Sequence, residues 1–271
     1  MIATAPDGTR LHYLVEGHGP PLVLVGGKTS DIEGAWWRYI PVLAKRLRVI
    51  AIDNRGSGAS DKPDTPYTTR LMADDALAVL EAAGERSAHW FGLSLGGMIL
   101  QELALAHPES VRSLILGATH CRGSSETGSP NQANPALANN PLRRFAGLYA
   151  PEFILRHPDW VSEDAKRFGK MPLHAVQRQD QAARNHDACD RLKAVGAPVL
   201  IVHGSQDRMV PVKEAEALHR ILPHSTIEIF DGAAHQVHSE KFDAVVDRVL
   251  RFVFEVEAER AVRPASAPGP A

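Results

Sequence analysis

Cysteine is almost missing from this chain: two residues, Cys121 and Cys189, among 271. That rules out a disulfide-stapled scaffold, and although His186 and Asp187 lie close to Cys189, their spacing matches no zinc pattern. The pair is expected to be two free thiols in a reducing compartment, and no metal is expected. Charge of one sign is missing as well. Thirty Lys and Arg stand against 32 Asp and Glu, a formal net charge of −2. Such a chain has no basic face to neutralise phosphates, which argues against a nucleic-acid partner. No apolar run approaches the ~20 residues that span a bilayer. The opening Met1 to Gly8 has neither the basic lead nor the apolar centre of a secretory leader. The expectation is a cytoplasmic protein with no membrane partner. With 44% hydrophobic and 23% charged residues, a folded core is expected.

What is present is a regular alternation. Asp7-Gly8 is a turn signal, so the opening reads as a hairpin whose second strand covers Leu11 to Val15. Short apolar runs then recur at Pro21 to Val25, Leu47 to Ile52, Ser87 to Gly92, Val111 to Ala118, Pro198 to His203 and Thr226 to Phe230. Continuous runs of this length fit strands covered on both faces of a parallel sheet. Helical patterns fall between them, at Leu71 to Ala83, Gly97 to Ala106, Val212 to Leu222 and Phe242 to Val256. The fold class is therefore α/β, a mostly parallel, doubly wound sheet with helices on both faces, and its strand-end loops gather on one edge.

Residues 120–195 break the alternation. They open with a polar stretch, Cys121 to Asn140, and continue with helical pieces at Leu142 to Tyr149, Glu152 to His157, Ser162 to Gly169 and Pro172 to Leu192. We expect a core domain of residues 1–119 and 196–257, a helical cap (lid) insertion of residues 120–195, and a disordered tail at 258–271 rich in Pro and Ala.

The chemistry centres on Gly92-Leu93-Ser94-Leu95-Gly96. A serine between two glycines, after a buried strand and before a helix, has the form of a nucleophile elbow. The sharp turn strains the serine and crowds the positions two residues away, where only glycine fits. A nucleophilic serine needs a base, and the base needs a carboxylate to orient it. Asp207 follows the strand ending at His203, and His235 follows the strand ending at Phe230. Among thirteen histidines, His235 is preferred to its neighbour His238 and to His203, which lies within a strand and reads as a packing residue. Asp207 is preferred to Asp231, which reads as shaping the turn before the histidine.

The order serine, acid, histidine resembles that of the α/β-hydrolase fold superfamily, over about residues 8–256. Asp53-Asn54-Arg55-Gly56-Ser57-Gly58-Ala59-Ser60 is similar to that family's D-x-R-G-x-G-x-S turn, read here as scaffold, and His203 to Pro211 is similar to its H-G-x-x-D-x-x-V-P acid loop. The pair Asp74-Asp75 and the helix after it resemble the group's smaller esterases and lactonases. The resemblance implies catalytic Ser94, Asp207 and His235, with an oxyanion hole made by the backbone N–H groups of Lys28 and Leu95. Two positions depart from the family pattern. Gly26 stands where the family usually has histidine, which leaves the Lys28 loop freer, and Ala234 stands where glycine usually precedes the histidine. The Lys28 side chain is expected either to snorkel to solvent or to add positive charge near an acidic substrate.

These features imply a cofactor-free serine hydrolase of small carboxylic esters or lactones, similar to carboxylesterases and 3-oxoadipate enol-lactonase-like hydrolases, acting as a monomer or homodimer on a small-molecule substrate. The alternatives are a C–C bond hydrolase, a perhydrolase or an aminopeptidase on the same scaffold, or a small-molecule receptor with vestigial hydrolysis. Dehalogenases and epoxide hydrolases of the family carry aspartate at the elbow, against Ser94. Pocket selectivity is expected from cap residues such as Phe145, Leu148 and Phe153.

Overall fold

The computed structural model describes residues 1–123 and 147–262. The sheet has eight strands in the order β1-β2-β4-β3-β5-β6-β7-β8. They are β1 (Ile2–Thr4), β2 (Arg10–Glu16), β3 (Pro21–Val25), β4 (Arg48–Ile52), β5 (Ala88–Leu93), β6 (Val111–Gly117), β7 (Val199–Gly204) and β8 (Ser225–Phe230). The β1–β2 and β2–β4 pairings are antiparallel, and every pairing from β4 onward is parallel.

Two-sided burial explains the apolar runs. Along β3, Val23 and Val25 enter one core cluster while Leu22 and Leu24 enter the other. This is the period-two alternation of a strand with apolar partners on both faces. One face is covered by α3 (Thr69–Ala82), α4 (Leu95–Ala106) and, beyond the helical excursion, α8 (Val212–Ile221). The other is covered by the short α1 (Ile32–Trp36) and α2 (Ile40–Leu43) and the long α10 (Phe242–Val262). The short α1, α2 and α9 (Val237–Glu240) carry too few turns for a periodic signal and were not expected from the sequence. No helix among the described residues is long and apolar enough to cross a membrane.

Between β6 and β7 the chain makes a helical excursion: α5 (Pro151–Arg156), α6 (Pro158–Arg167) and α7 (Leu173–Arg184). Proline opens both α5 and α6, where its missing N–H costs nothing. The expected single run from Pro172 to Leu192 is divided. The helix stops at Asn185, and the chain then turns back to pair with the outgoing strand, with Gly123 N donating to His186 O at 2.7 Å and Ala188 N to Cys121 O at 2.8 Å. The piece at Leu142 to Tyr149 and the pocket residue Phe145 lie wholly or mostly outside the described residues, as does most of Cys121 to Asn140.

Two expectations are corrected here. Cys121 and Cys189 are not free thiols but a disulfide, with Cα atoms 4.9 Å apart. The backbone pairing at the two stems of the excursion sets the cysteines side by side, a proximity that a separation of 68 residues conceals. One of the two grounds for a reducing compartment is thereby removed. Residues 258–262 are also not tail, because α10 continues through them to Val262.

A bond that closes a loop of this length removes freedom mainly from the unfolded chain, by about 2–4 kcal/mol. Reduction, or Cys189→Ser, is therefore expected to lower unfolding free energy in urea by about that amount. An unchanged denaturation midpoint would show that the bridge adds no stability.

Candidate active site

The parallel strands deliver the sequence-derived residues to adjacent strand ends. Ser94 follows β5, Thr119 follows β6, Asp207 follows β7 and His235 follows β8. Ser94 has φ 52° and ψ −115°, a strained conformation for a residue with a Cβ. It is held by the end of β6 and the loop after it: Ser94 N donates to Gly117 O at 2.8 Å, and Thr119 Oγ1 donates to Ser94 O at 2.8 Å. The glycines are needed for close approach. A Cβ on Gly92 would lie 2.6 Å from the Gly96 carbonyl, and one on Gly96 would overlap the carbonyl oxygen of Val25. Leu95 begins α4, so its N–H lacks an intrahelical acceptor and points out of the helix start.

The loop after β3 lies against this turn. A Cβ on Gly27 would be 3.4 Å from Ser94 Cβ and 3.3 Å from Leu93 O. Asn54 Nδ2 donates to Gly26 O at 3.0 Å and anchors the loop from β4. The Lys28 side chain is not free in solvent: its Nζ donates to Asp180 Oδ1 of α7 at 2.6 Å. The segment from Asp53 is scaffold. Asp53 accepts from Ile32 N and Ala59 N at 2.8 and 2.9 Å, and the buried Arg55 pairs with Asp75 and Asp7.

Asp207 and His235 are joined. His235 Nδ1 lies 2.8 Å from Asp207 Oδ2, while Asp207 Oδ1 accepts from Met209 N and Val210 N at 2.8 and 2.9 Å. Burial pushes the Asp207 carboxyl up, but the charge and hydrogen bond of His235 and the Val210 N–H outweigh it, and the net shift is downward. An anionic carboxylate on Nδ1 fixes the imidazole tautomer with its proton there and leaves Nε2 as the basic nitrogen. The β7 end and the histidine loop are tightly joined, since a Cβ on Gly204 would overlap the carbonyl oxygens of Ala233 and Ala234.

The competing residues fall elsewhere. His203 is fully buried, its Nε2 donating to Val210 O at 2.8 Å while lying 3.4 Å from Asp207 Oδ2. It braces the acid loop rather than acting as a base. His238 packs between Trp36 and Tyr39, and burial lowers its pKa to about 4, so it is a neutral core side chain. Asp231 accepts from Ser205 Oγ at 3.1 Å and shapes the turn. Leu148 and Phe153 pack into a small cluster with Tyr149 and Val161 inside the excursion.

Several site-adjacent residues were missed from the sequence. Glu240 accepts from Ala234 N at 2.9 Å and from Ala150 N at 3.1 Å, tying the histidine loop to the excursion. Gln179, fully buried on α7, contacts the loops after β3 and β4. Its signal was available: Ala175, Gln179 and Ala182 form the buried stripe of α7, and a glutamine in such a stripe needs polar partners. Among the described residues no cluster of three His, Cys, Asp or Glu side chains could hold a metal ion.

A family model for the alpha/beta hydrolase fold matches residues 20–170, more than half the chain. The chain belongs to the α/β-hydrolase fold family. Among its relatives, the candidate carbamate hydrolase RutD of Azorhizobium caulinodans is 30% identical over 91% of this chain and 96% of its own length. The 3-oxoadipate enol-lactonase 2 of Acinetobacter baylyi is 26% identical over 92% of this α/β-hydrolase and 95% of its own length. A solved hydrolase from Pseudomonas aeruginosa superposes with a TM-score of 0.82 at 26% identity, covering 93% of this chain and 97% of that one. Like them, this α/β-hydrolase is a hydrolytic enzyme.

The contact between Gly96 and the β3 carbonyl leaves no room for a methyl group. Gly96→Ala is expected to cost about 1–3 kcal/mol by overpacking and to displace Ser94. Thermal unfolding together with fluorophosphonate labelling measures both effects; a variant with unchanged stability and labelling would contradict this view of the elbow.

Proposed function

We propose that this α/β-hydrolase cleaves small carboxylic esters or lactones through an acyl-enzyme on Ser94. The observation that carries the reading is the 2.8 Å bond between Asp207 and His235, set on the loops after β7 and β8, on the sheet edge where β5 ends in a serine held at positive φ. A carboxylate locked onto Nδ1 prepares the imidazole for one task, accepting a proton at Nε2.

The reaction then runs in two halves. Ser94 Oγ attacks the carbonyl carbon while His235 Nε2 takes its proton, and Asp207 stabilises the imidazolium. The carbonyl π electrons move onto oxygen, where the N–H groups of Lys28 and Leu95 hold the oxyanion, each worth about 3–4 kcal/mol. Collapse breaks the carbon–oxygen bond, and the leaving alkoxide takes the proton from Nε2. In the second half water attacks the acyl-enzyme, giving its proton to His235, and collapse returns that proton to Ser94 Oγ and releases the carboxylic acid. In a lactone the alkoxide and the acyl group belong to one molecule, so a single hydroxy acid leaves.

The excursion between β6 and β7 serves as the cap over this site. It is locked to the core by a stack in which Arg38 lies between the rings of Trp37 and Trp160, at 3.9 and 3.5 Å. Asp164 of α6 accepts from Trp37 Nε1 and Tyr149 OH at 3.1 and 2.7 Å. Such a cap excludes water and sets which acyl groups fit. The named substrates of the relatives, a lactone and a carbamate, share with esters an acyl carbon bearing a heteroatom leaving group, and this supports the assignment.

Turnover of p-nitrophenyl acetate and butyrate and of a lactone panel tests the proposal. Ser94→Ala is expected to abolish turnover and fluorophosphonate labelling, and Asp207→Asn to lower kcat by about 10⁴-fold by upsetting the tautomer. Full turnover by Ser94→Ala would rule out the mechanism.

A further inference from the structure

We infer that Gln179 of the cap helix is a positioning residue for the oxyanion hole: the cap, through Gln179, supplies the rigidity that the Gly26-Gly27 loop lacks. The inference rests on Lys28 N–H being an oxyanion donor.

The loop that carries this donor has few contacts of its own: Ser30 N donates to Gly27 O at 3.2 Å, and Asn54 Nδ2 holds Gly26 O at 3.0 Å. It begins with two glycines, which lose the most freedom on ordering, and it then places Thr29 at φ 64°. A β-branched residue in that region is uncommon and must be held there by its surroundings. Two hydrogen bonds hold it. The peptide between Lys28 and Thr29 is fixed at both ends: Thr29 Oγ1 donates to Lys28 O at 2.6 Å, and Thr29 N donates to Gln179 Oε1 at 2.9 Å. That peptide directly follows the one bearing the Lys28 N–H, so its orientation sets where the donor points.

Gln179 is itself held. Its Nε2 donates to Arg55 O at 2.9 Å and to Ser57 Oγ at 3.0 Å, both in the turn after β4, and the side chain is fully buried. The amide thus has its oxygen on one loop and its nitrogen on another, and a flip would lose the bonds to Thr29 N and Arg55 O. Close packing leaves it no other place: a Cβ on Gly56 would lie 3.4 Å from Gln179 Nε2 and 3.3 Å from Ala175 Cβ. The next residue grips the same loop by charge. Asp180 Oδ1 accepts from Lys28 Nζ at 2.6 Å, and its Oδ2 accepts from Arg184 Nε at 2.7 Å. Adjacent residues of α7 therefore hold adjacent residues of the oxyanion loop. Unseating α7 would leave the donor loop with the Asn54 and Ser30 bonds to Gly26 and Gly27 and the Thr29 bond to Lys28 O.

A residue that only stabilised the cap would weaken substrate binding or folding. A residue that aims an oxyanion donor acts on the transition state, and so appears in kcat with KM retained. The experiment compares Gln179→Leu, Gln179→Glu and Arg178→Ala with the wild-type chain on p-nitrophenyl butyrate, alongside hydrogen exchange across residues 26–30. Gln179→Leu removes all three bonds; its kcat is expected to fall about 10- to 100-fold with KM within about threefold, and inhibition by a trifluoromethyl ketone to weaken in proportion to kcat/KM. Exchange at 26–30 is expected to rise. Gln179→Glu keeps the acceptor for Thr29 N and is expected to stay within about fivefold of the wild-type kcat. Arg178→Ala removes a different α7 contact, to Asp64 at 3.1 Å, and is expected to leave all readouts unchanged. Full kcat in Gln179→Leu, a loss confined to KM, or an equal loss in Arg178→Ala would overturn the inference. Should Gln179→Leu not fold, a loss in Gln179→Glu beyond tenfold with unchanged exchange would overturn it equally. Wild-type turnover and Ser94 labelling report separately on the acyl-transfer reading, and loop exchange reports on the clamp without any catalysis.

Discussion

The contact on which the rest depends is the approach of α4 to the end of β3, where Gly96 lies against the carbonyl of Val25. No other residue type permits it. Because the helix begins so close to the sheet, the chain must turn within one residue of β5, and Ser94 is forced to positive φ. The strain is sustained by a bond to Gly117 O at the end of the neighbouring strand and one from Thr119 just beyond it, so the elbow is a property of the sheet and not of the five-residue motif alone. The same contact brings the loop after β3 against the serine, where a Cβ on Gly27 would lie 3.4 Å from Ser94 Cβ.

The parallel sheet then does the assembly. Successive strands β5, β6, β7 and β8 end on one edge, and residues more than a hundred positions apart arrive there without any local signal linking them. Electrostatics completes the arrangement. Asp207 is buried, which by itself would favour its neutral acid, yet the His235 contact and the Val210 N–H hold it as a carboxylate. One oxygen of the charged form is held by the imidazole and the other by two backbone N–H groups. The flanking braces, His203 on the acid loop and Glu240 on the histidine loop, keep both ends of that pair in register with the sheet.

Much of this was legible in the sequence, for a physical reason. A strand buried on both faces must be continuously apolar, so Pro21 to Val25 matched β3 to the residue, and the runs read for β2 and for β4 to β8 lay within one position at each end, whereas β1 was read only as part of a hairpin. The strand ends that carry Ser94, Asp207 and His235 were legible for the same reason. What was not legible depends on contacts between segments distant in the chain. The Cys121–Cys189 pairing arises from the meeting of two stems, and the break of the long helix at Asn185 from the backbone pairing those stems require. The paired role of Lys28 depends on Asp180, more than 150 positions away, so its own type and place suggested only solvent or substrate. Gln179 lay between these cases: it was missed although Ala175 and Ala182 flank it on one helix face, and its partners are set by the fold.

The central claim is that Ser94 carries the acyl group during turnover. Rapid quench of the enzyme with p-nitrophenyl butyrate, followed by digestion and mass spectrometry of the Ser94 peptide, tests it most directly. The account requires a butyryl adduct on Ser94 that forms before steady state and disappears as substrate is exhausted. Turnover with the Ser94 peptide unmodified throughout, and the acyl group found on another residue, would contradict it.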